Sequence, residues 1–179
     1  SPGIWKKNVQ YYEKRMRSKI KCVNFRSKKY GGHSEYGIIY SGKKEIYNTK
    51  QVDPYLSLFL HDLILRPSCY DCKFKGLDRH ADITLGDFWG VDEYAKSIND
   101  GSGISIVVTH SSKGKELFNS IKKNLVYKSV NPDDVFSKHN LSMCESAIVP
   151  SNREVFWKDY LILDYKDIIK KYSCITWKD

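Results

Sequence analysis

The sequence has no uninterrupted apolar run near the roughly 20 residues that a membrane-spanning helix requires. It shows no signal peptide, and its 5 cysteines are too few and too irregularly spaced for the disulfide framework of a small secreted domain. These absences argue against integral membrane proteins and disulfide-stabilised secreted proteins. They predict a chain without a membrane span that works in the reducing cytoplasm.

Acidic residues are scarce relative to basic ones. The 21 Asp and Glu side chains face 30 Lys and Arg side chains, so the formal net charge is +9. A positive surface suits an anionic partner such as a nucleotide cofactor, an acidic protein or a nucleic acid. The basic residues are spread along the chain, however, which equally fits a solvated surface. Because no nucleic-acid recognition motif is present, we do not expect a nucleic-acid partner.

The length of 179 residues and the hydrophobic content of 41% predict one domain. The chain starts at Ser1 and not at Met, so we expect it to be the C-terminal fragment of a longer protein. Within this domain we predict a lead-in helix, an α/β core, and a loop with closing helices, over residues 1–20, 21–130 and 131–179.

Hydrophobic spacing in the first part of the chain predicts an amphipathic helix, a strand, a hairpin and a second helix, over residues 4–20, 21–26, 36–48 and 52–65. Asp53 and Pro54 are typical of the N-cap and the first position of that second helix. The basic, glycine-containing loop at 28–32 fits either a phosphate cradle or a plain turn, because its spacing matches no known phosphate-binding loop.

Two cysteines follow the second helix as a CxxC pair, Cys69 and Cys72. This spacing brings two thiols together with little backbone rearrangement. The pair fits an iron–sulfur cluster, a zinc site, a redox dithiol, or a reduced and empty turn, and either metal site needs two further ligands. The other candidate ligands have no fixed spacing to the pair: Cys22, Cys144, Cys174, His80 and His110.

A strand and a bend come directly after the cysteines. Alternating hydrophobicity predicts a strand over 81–85, and the glycines of GDFWG predict a turn over 86–90. Asp87 lies where a strand should end, and it suits a hydrogen bond to a ribose hydroxyl or a flavin ring N–H. Phe88 and Trp89 suit stacking on a flat ring. A capping role for Asp87 and core positions for the two aromatics fit the sequence equally well.

The later part of the chain predicts a short helix over 92–98, a strand over 104–108 buried on both faces, a helix over 112–124 and a strand over 125–130. The helix over 112–124 should turn Leu117, Phe118 and Ile121 inward. Strand, helix and strand in this order predict a parallel crossover. We therefore expect an α/β fold, with α+β character toward the N-terminus, in which helices flank a mixed sheet.

The remaining segments allow alternatives. The loop at 99–103 and the helix start at Ser111 and Ser112 fit either phosphate binding or ordinary connections. Residues 131–151 are less regular, and the loop that contains Asn140, Ser142 and Cys144 either folds over the site or only joins elements. Two closing helices are predicted over 152–161 and 165–172.

A resemblance to a known family is carried by two blocks, RPSCYDCKFK (66–75) and ADITLGDFWG (81–90), and by Arg79 between them. These residues resemble the C-terminal domain of the coenzyme F-420 hydrogenase/dehydrogenase beta-subunit family. They are most similar to its bacterial branch associated with polysaccharide biosynthesis. Similarity at 25–31, 103–108 and 113–118 extends the resemblance over most of the chain.

The resemblance implies an oxidoreductase that transfers electrons between an iron–sulfur relay and a flavin or deazaflavin-type acceptor. It implies FAD or a related flavin as cofactor, and an iron–sulfur cluster whose remaining ligands lie outside this chain. The expected partner is an N-terminal ferredoxin-like region or a separate electron-transfer protein, and the fragment alone should be inactive. The alternative is a non-catalytic module, zinc-stapled or metal-free, that binds an acidic partner.

On this resemblance Cys69 and Cys72 are the metal ligands, and Arg66, Lys73, Lys75 and Arg79 offset pyrophosphate charge. The complete set of expected cofactor-binding residues is Arg66, Lys73, Lys75, Arg79, Asp82, Gly86, Asp87, Trp89, Gly90, Gly103 and Ser105. The sequence identifies no catalytic residue.

Overall fold

The computed structural model describes residues 1–29 and 36–173. Residues 30–32 of the predicted phosphate-cradle loop and Cys174 lie outside the described residues. The described chain combines helices with two small antiparallel sheets, which confirms the predicted α/β class. It divides into two compact units: unit 1 is residues 1–70 and 147–179, and unit 2 is residues 71–146.

Unit 1 begins with helix α1, Pro2–Met16. Pro2 suits the first helical turn because a backbone N–H there would have no intrahelical acceptor. The helix ends at Arg17, whose left-handed backbone (φ 51°) lets its N–H reach the carbonyl oxygens of the last turn. It is therefore shorter than the predicted span of 4–20. A buried stripe repeats along the helix at Ile4, Asn8, Tyr12 and Met16.

A three-stranded antiparallel sheet follows, in the order β1-β2-β3: Cys22–Ser27, Gly37–Ser41 and Glu45–Thr49. This confirms the predicted strand and hairpin. The central strand β2 is the buried one, with Ile38 and Tyr40 fully enclosed. Its first residue must be small, because a Cβ on Gly37 would lie 2.3 Å from the backbone oxygen of Asn48.

Helix α2, Pro54–Leu60, begins where the sequence predicts, and its N-cap Asp53 accepts a hydrogen bond from the Leu56 N–H at 3.0 Å. The helix ends five residues before the predicted end at Leu65, because Asp62 has a left-handed backbone (φ 61°) that no α-helix contains. A further short helix, α3, spans Pro67–Tyr70.

The predicted closing helices are both present, as α7, Arg153–Ile162, and α8, Tyr165–Tyr172. They help to form the larger of the two apolar clusters of unit 1: Ile4, Leu58, Leu63, Ile64, Phe156, Tyr165, Ile168, Ile169 and Tyr172. The second cluster joins α1 to the sheet and to α2: Tyr12, Met16, Ile38, Tyr40 and Leu56.

A buried polar network crosses the core of unit 1. The Asp53 carboxylate accepts hydrogen bonds from the hydroxyls of Tyr12 and Tyr40, at 3.2 and 3.0 Å, and from the Asn48 amide at 3.2 Å. Burial raises the pKa of Asp53, and these hydrogen bonds oppose the shift. Because the polar groups satisfy one another, unit 1 can bury them without leaving a carboxylate unpaired.

Unit 2 contains one antiparallel pair, β4, Ile83–Asp87, and β5, Ser105–Thr109. Its helices are α4, Val91–Tyr94, α5, Ser112–Ile121, and α6, Pro132–Lys138. Short 3-10 turns cover 96–98, 122–124 and 141–143. One apolar cluster forms the core: Phe88, Ala95, Ile106, Val135 and Phe136.

The predicted parallel crossover is wrong. Strand β5 pairs with β4 in antiparallel register, and residues 125–130, predicted as a strand, belong to neither sheet. With a single neighbouring strand, β5 is half-buried and not buried on both faces, and Val107 is 39% exposed. The apolar pattern correctly identified β5, but strand pairing is a long-range property that the pattern does not contain.

Helix α5 also differs from its predicted orientation, because Leu117 and Ile121 are exposed and not inward. The buried residue of α5 is Gly114. A Cβ at this position would lie 2.0 Å from the carbonyl oxygen of Asp82, so the first turn of the helix contacts β4 through backbone. That close contact leaves the later turns of α5 with an exposed apolar face.

Candidate functional site

Unit 2 contains a cleft of about 440 Å³, which is within the range of 300–1,000 Å³ typical of small-molecule sites. One wall is β5 and the residues just before it, and the other is the extended segment 125–130. The lining is largely apolar and includes three aromatic rings: Phe88, Ile98, Gly103, Ile104, Ser105, Ile106, Val107, Thr109, Phe118, Leu125, Val126, Tyr127, Lys128, Ser129 and Val130.

Two of the predicted cofactor-binding residues, Gly103 and Ser105, line this cleft. Gly103 has a left-handed backbone (φ 101°), which glycine adopts without steric cost and which turns the chain into β5. Ser105 is paired across the sheet with Asp87, and the neighbouring pair joins Ile106 to Gly86. The structure thus places Gly86 and Asp87 on the strand next to the cleft wall, and not in a turn as predicted.

The bend at Phe88–Gly90 is held by residues from a distant part of unit 2. The Asn140 amide donates to the Trp89 carbonyl oxygen at 3.0 Å, and its oxygen accepts from the Trp89 N–H at 3.2 Å. Asn140 is 1% exposed and Trp89 is 39% exposed, so these hydrogen bonds are partly buried. The loop that contains Asn140 therefore contacts the bend, and that it covers a functional site stays a prediction.

Gly90 permits close approach by this loop. It has a left-handed backbone (φ 81°), and a Cβ there would lie 2.4 Å from the His139 ring. A Cβ on Gly86 would lie 3.4 Å from the sulfur of Met143, an ordinary van der Waals distance, so packing does not require glycine at that position. The sequence shows Gly90, but it does not show that His139 is its partner.

An exposed ionic cluster flanks the bend. The Glu93 carboxylate contacts Lys138 at 2.9 Å and the His139 ring nitrogen at 2.7 Å. The hydrogen bond from Lys138 is the main reason that the pKa of Glu93 is lowered. Because solvent screens exposed pairs, this cluster orients the loop more than it stabilises the fold.

The four basic residues predicted to neutralise pyrophosphate do not line the cleft in the part of the chain that is described. Lys73 pairs with the exposed Asp71 at 2.9 Å, and Lys75 donates to the Ser142 carbonyl oxygen. Arg79 donates to the carbonyl oxygens of Gly76 and Met143, at 2.8 and 2.7 Å. The fourth, Arg66, lies in unit 1.

Asp82 connects β4 to the start of α5. Its carboxylate accepts from the Ser111 hydroxyl at 2.5 Å and lies 3.6 Å from the Lys113 ammonium. The Ser111 hydrogen bond is the main cause of the lowered pKa of Asp82. The Ser111 oxygen in turn accepts from the Gly114 N–H at 3.1 Å, as expected for an N-cap. These contacts give Asp82 a structural role.

The CxxC pair is divided by the boundary between the two units, with Cys69 in unit 1 and Cys72 in unit 2. Both thiols are free and partly exposed. Among the described residues, no group of three or more His, Cys, Asp or Glu side chains could hold a metal ion. Two thiolates are half of the four ligands that an iron–sulfur cluster or a structural zinc requires. The described residues therefore do not fit a complete metal site.

Comparison with protein families decides the identity of the chain. Residues 1–135 match the model of the family described as the C terminus of the coenzyme F420 hydrogenase/dehydrogenase beta subunit. The chain belongs to this family. The match includes the CxxC pair, the bend and the whole of β5, and the family is associated with redox cofactors in general. No curated protein and no solved structure gave a match.

Membership of the coenzyme F420 hydrogenase/dehydrogenase beta-subunit family agrees with the resemblance seen in the sequence. None of the described helices is long and apolar enough to cross a bilayer. The sequence reasoning missed the second wall of the cleft, including Tyr127, and the aromatic contribution of Phe118. The sequence predicts a strand over 125–130, whereas the structure places these residues in neither sheet.

Proposed function

We propose that this chain is part of an oxidoreductase and that the cleft of unit 2 binds the ring system of FAD or a related flavin. The observation that carries the proposal is the family match over residues 1–135. In the proposed reaction, electrons pass between an iron–sulfur relay and a flavin or deazaflavin-type acceptor. A cytoplasmic role in polysaccharide biosynthesis, beside a ferredoxin-like region or protein, belongs to the same proposal.

The composition of the cleft supports a flat, largely apolar ligand. Phe88, Phe118 and Tyr127 offer aromatic surface on which a ring can stack. Ser105 and Lys128 supply polar groups at the same cleft, and Lys128 can neutralise an anionic substituent. A bound flavin would supply the electron-transfer chemistry, while these residues bind it, orient it and shield it from water.

Cys69 and Cys72 would contribute at most two thiolates to an iron–sulfur cluster. The proposal therefore assigns the remaining ligands to a region or protein outside this chain. The described residues by themselves do not complete the ligand set of such a cluster.

The test is flavin binding by the protein purified without oxygen, measured by quenching of FAD fluorescence. Ser105→Trp fills the cleft from its β5 wall and should weaken FAD binding at least about tenfold, the equivalent of about 1.4 kcal/mol. The matched control is Ser120→Trp, which adds the same side chain at an exposed position of α5 outside the cleft.

Two results would contradict the proposal: no affinity of the native protein for FAD, or equal effects of the two tryptophan substitutions. Stoichiometric zinc without any flavin affinity would instead support the alternative of a non-catalytic module for an acidic partner.

A further inference from the structure

Unit 1 has a second cleft, of about 310 Å³, that the redox proposal does not use. It is formed where the start of α1, the start of α3 and the start of α7 approach one another. Its lining combines two arginines with apolar groups: Ser1, Pro2, Leu65, Arg66, Pro67, Arg153 and Trp157. The volume is at the lower end of the range for small-molecule sites.

The Arg153 guanidinium is held in a fixed orientation. Its Nε donates to the Tyr70 hydroxyl at 2.8 Å, and its Nη2 donates to the Leu65 carbonyl oxygen at 3.0 Å. It also lies over the rings of Tyr70 and Trp157, at 4.9 and 5.6 Å from their centres. None of these contacts in the described structure uses Nη1 or neutralises the charge, so a preorganised cation lines the cleft.

The second cation, Arg66, is exposed, and neither arginine forms an ion pair with a carboxylate among the described residues. Two guanidinium groups without an acidic partner give the cleft an uncompensated positive charge. Arginine is the residue best suited to bind phosphate oxygens through two parallel hydrogen bonds.

Trp157 forms an aromatic part of the cleft wall. Its ring centre lies 5.6 Å from the Arg153 guanidinium, so a molecule bound beside that cation would also contact the indole. The indole nitrogen is buried away from solvent, so the contact would be made by the ring and not by its N–H.

We propose that this cleft binds the phosphate group of a small phosphate ester. Two positive charges match the charge of a phosphate monoester, which is about −1.5 to −2 at neutral pH. The prolines, Leu65 and the Trp157 ring form an apolar wall for the organic part of the ester. The proposal does not rest on flavin binding, because the cleft lies in unit 1.

The test is titration of the whole chain with inorganic phosphate and with methyl phosphate at low ionic strength. Binding is followed by calorimetry and by the NMR resonance of the Trp157 indole N–H, which is assigned by its loss in Trp157→Phe. Phosphate bound in the cleft should shift this resonance, because the Trp157 ring lines the cleft. Arg66→Gln should weaken binding about ten- to a hundredfold, because it removes one charge-assisted contact.

The control Lys44→Gln removes the same charge from an exposed position of the β2–β3 turn and should leave phosphate affinity within about twofold. Circular dichroism confirms that each variant is folded before it is titrated. The proposal is overturned if native protein does not bind phosphate, if Arg66→Gln binds as tightly as the native protein, or if acetate binds more tightly than phosphate.

Discussion

The two units differ in the size of their buried cores. Unit 1 encloses two apolar clusters and buries a carboxylic acid, Asp53, among tyrosine and asparagine partners. Unit 2 has one cluster, which contains fewer buried residues than the two clusters of unit 1 together. We therefore expect unit 1 to supply more of the stability. Exposed apolar side chains occur in both units, and in unit 2 one of them, Val126, lines the cleft.

The strongest test of this comparison is Phe156→Ala in unit 1. Phe156 lies on α7 and is fully buried in the larger apolar cluster of unit 1, so its truncation leaves a cavity and should cost about 3–5 kcal/mol of unfolding free energy. The control is Leu161→Ala on the same helix, where the side chain is 81% exposed and the cost should be within about 0.5 kcal/mol. Urea denaturation gives both values.

Hydrogen exchange of the Phe156→Ala variant measures whether the two units unfold separately. If Phe156→Ala costs no more than Leu161→Ala, the core of unit 1 does not carry the stability assigned to it. If unit 2 loses as much amide protection as unit 1, the two units unfold as one.

A smaller effect is expected for Gly114→Ala in unit 2. Alanine favours helices over glycine by about 0.5–1 kcal/mol, but here the added Cβ would lie 2.0 Å from the backbone oxygen of Asp82. The backbone cannot yield as a side chain does, so we expect a net loss of about 1–3 kcal/mol. The matched control is Asn119→Ala, exposed on the same helix, which should be nearly neutral. A Gly114→Ala protein as stable as the native one would show that α5 does not depend on this contact.

The smallest effect concerns pH. Burial raises the pKa of Asp53, so the folded state holds its proton more tightly than the unfolded state. Stability should therefore fall as the pH rises from about 4, the ordinary pKa of aspartate, through the raised value in the folded protein. The slope for one proton is at most about 1.4 kcal/mol per pH unit.

Asp53→Asn should reduce this dependence of stability on pH, because an amide does not titrate. The variant will also be less stable at every pH, because the Asn48 amide then faces a second hydrogen-bond donor. Urea midpoints of both proteins from pH 3 to pH 7 provide the measurement. Parallel curves for the two proteins would mean that Asp53 does not titrate across this range.

Local features of the sequence predicted much of the fold. The Asp53–Pro54 start of α2 is present because capping is decided within a few residues. The β2–β3 hairpin and the two closing helices are also present, because their sequence patterns are likewise local. The sequence predicts a strand over 125–130, but the structure gives this segment no strand partner, since pairing depends on residues far away in the chain.

The candidate site was less accessible to prediction. Gly103 and Ser105 were chosen from the sequence and do line the cleft, whereas the basic residues of 66–79 contact carbonyl oxygens, a carboxylate or a different cleft. A positive side chain carries no local signal that distinguishes a ligand contact from a structural one. Likewise, Asn140 contacts Trp89 across 51 positions of sequence, and no spacing rule predicts such a contact.

The sequence by itself determined the helix caps, the alternation of the strands, the positions of the glycines and the family to which the chain belongs. These are local or directly readable features, because they depend on a few neighbouring residues. Only the tertiary structure decided that β5 pairs with β4, that Gly114 and not Leu117 is buried, and that an apolar cleft opens beside Ser105. Those outcomes depend on packing and desolvation between residues that are distant in the sequence. These interactions form only when the chain has folded.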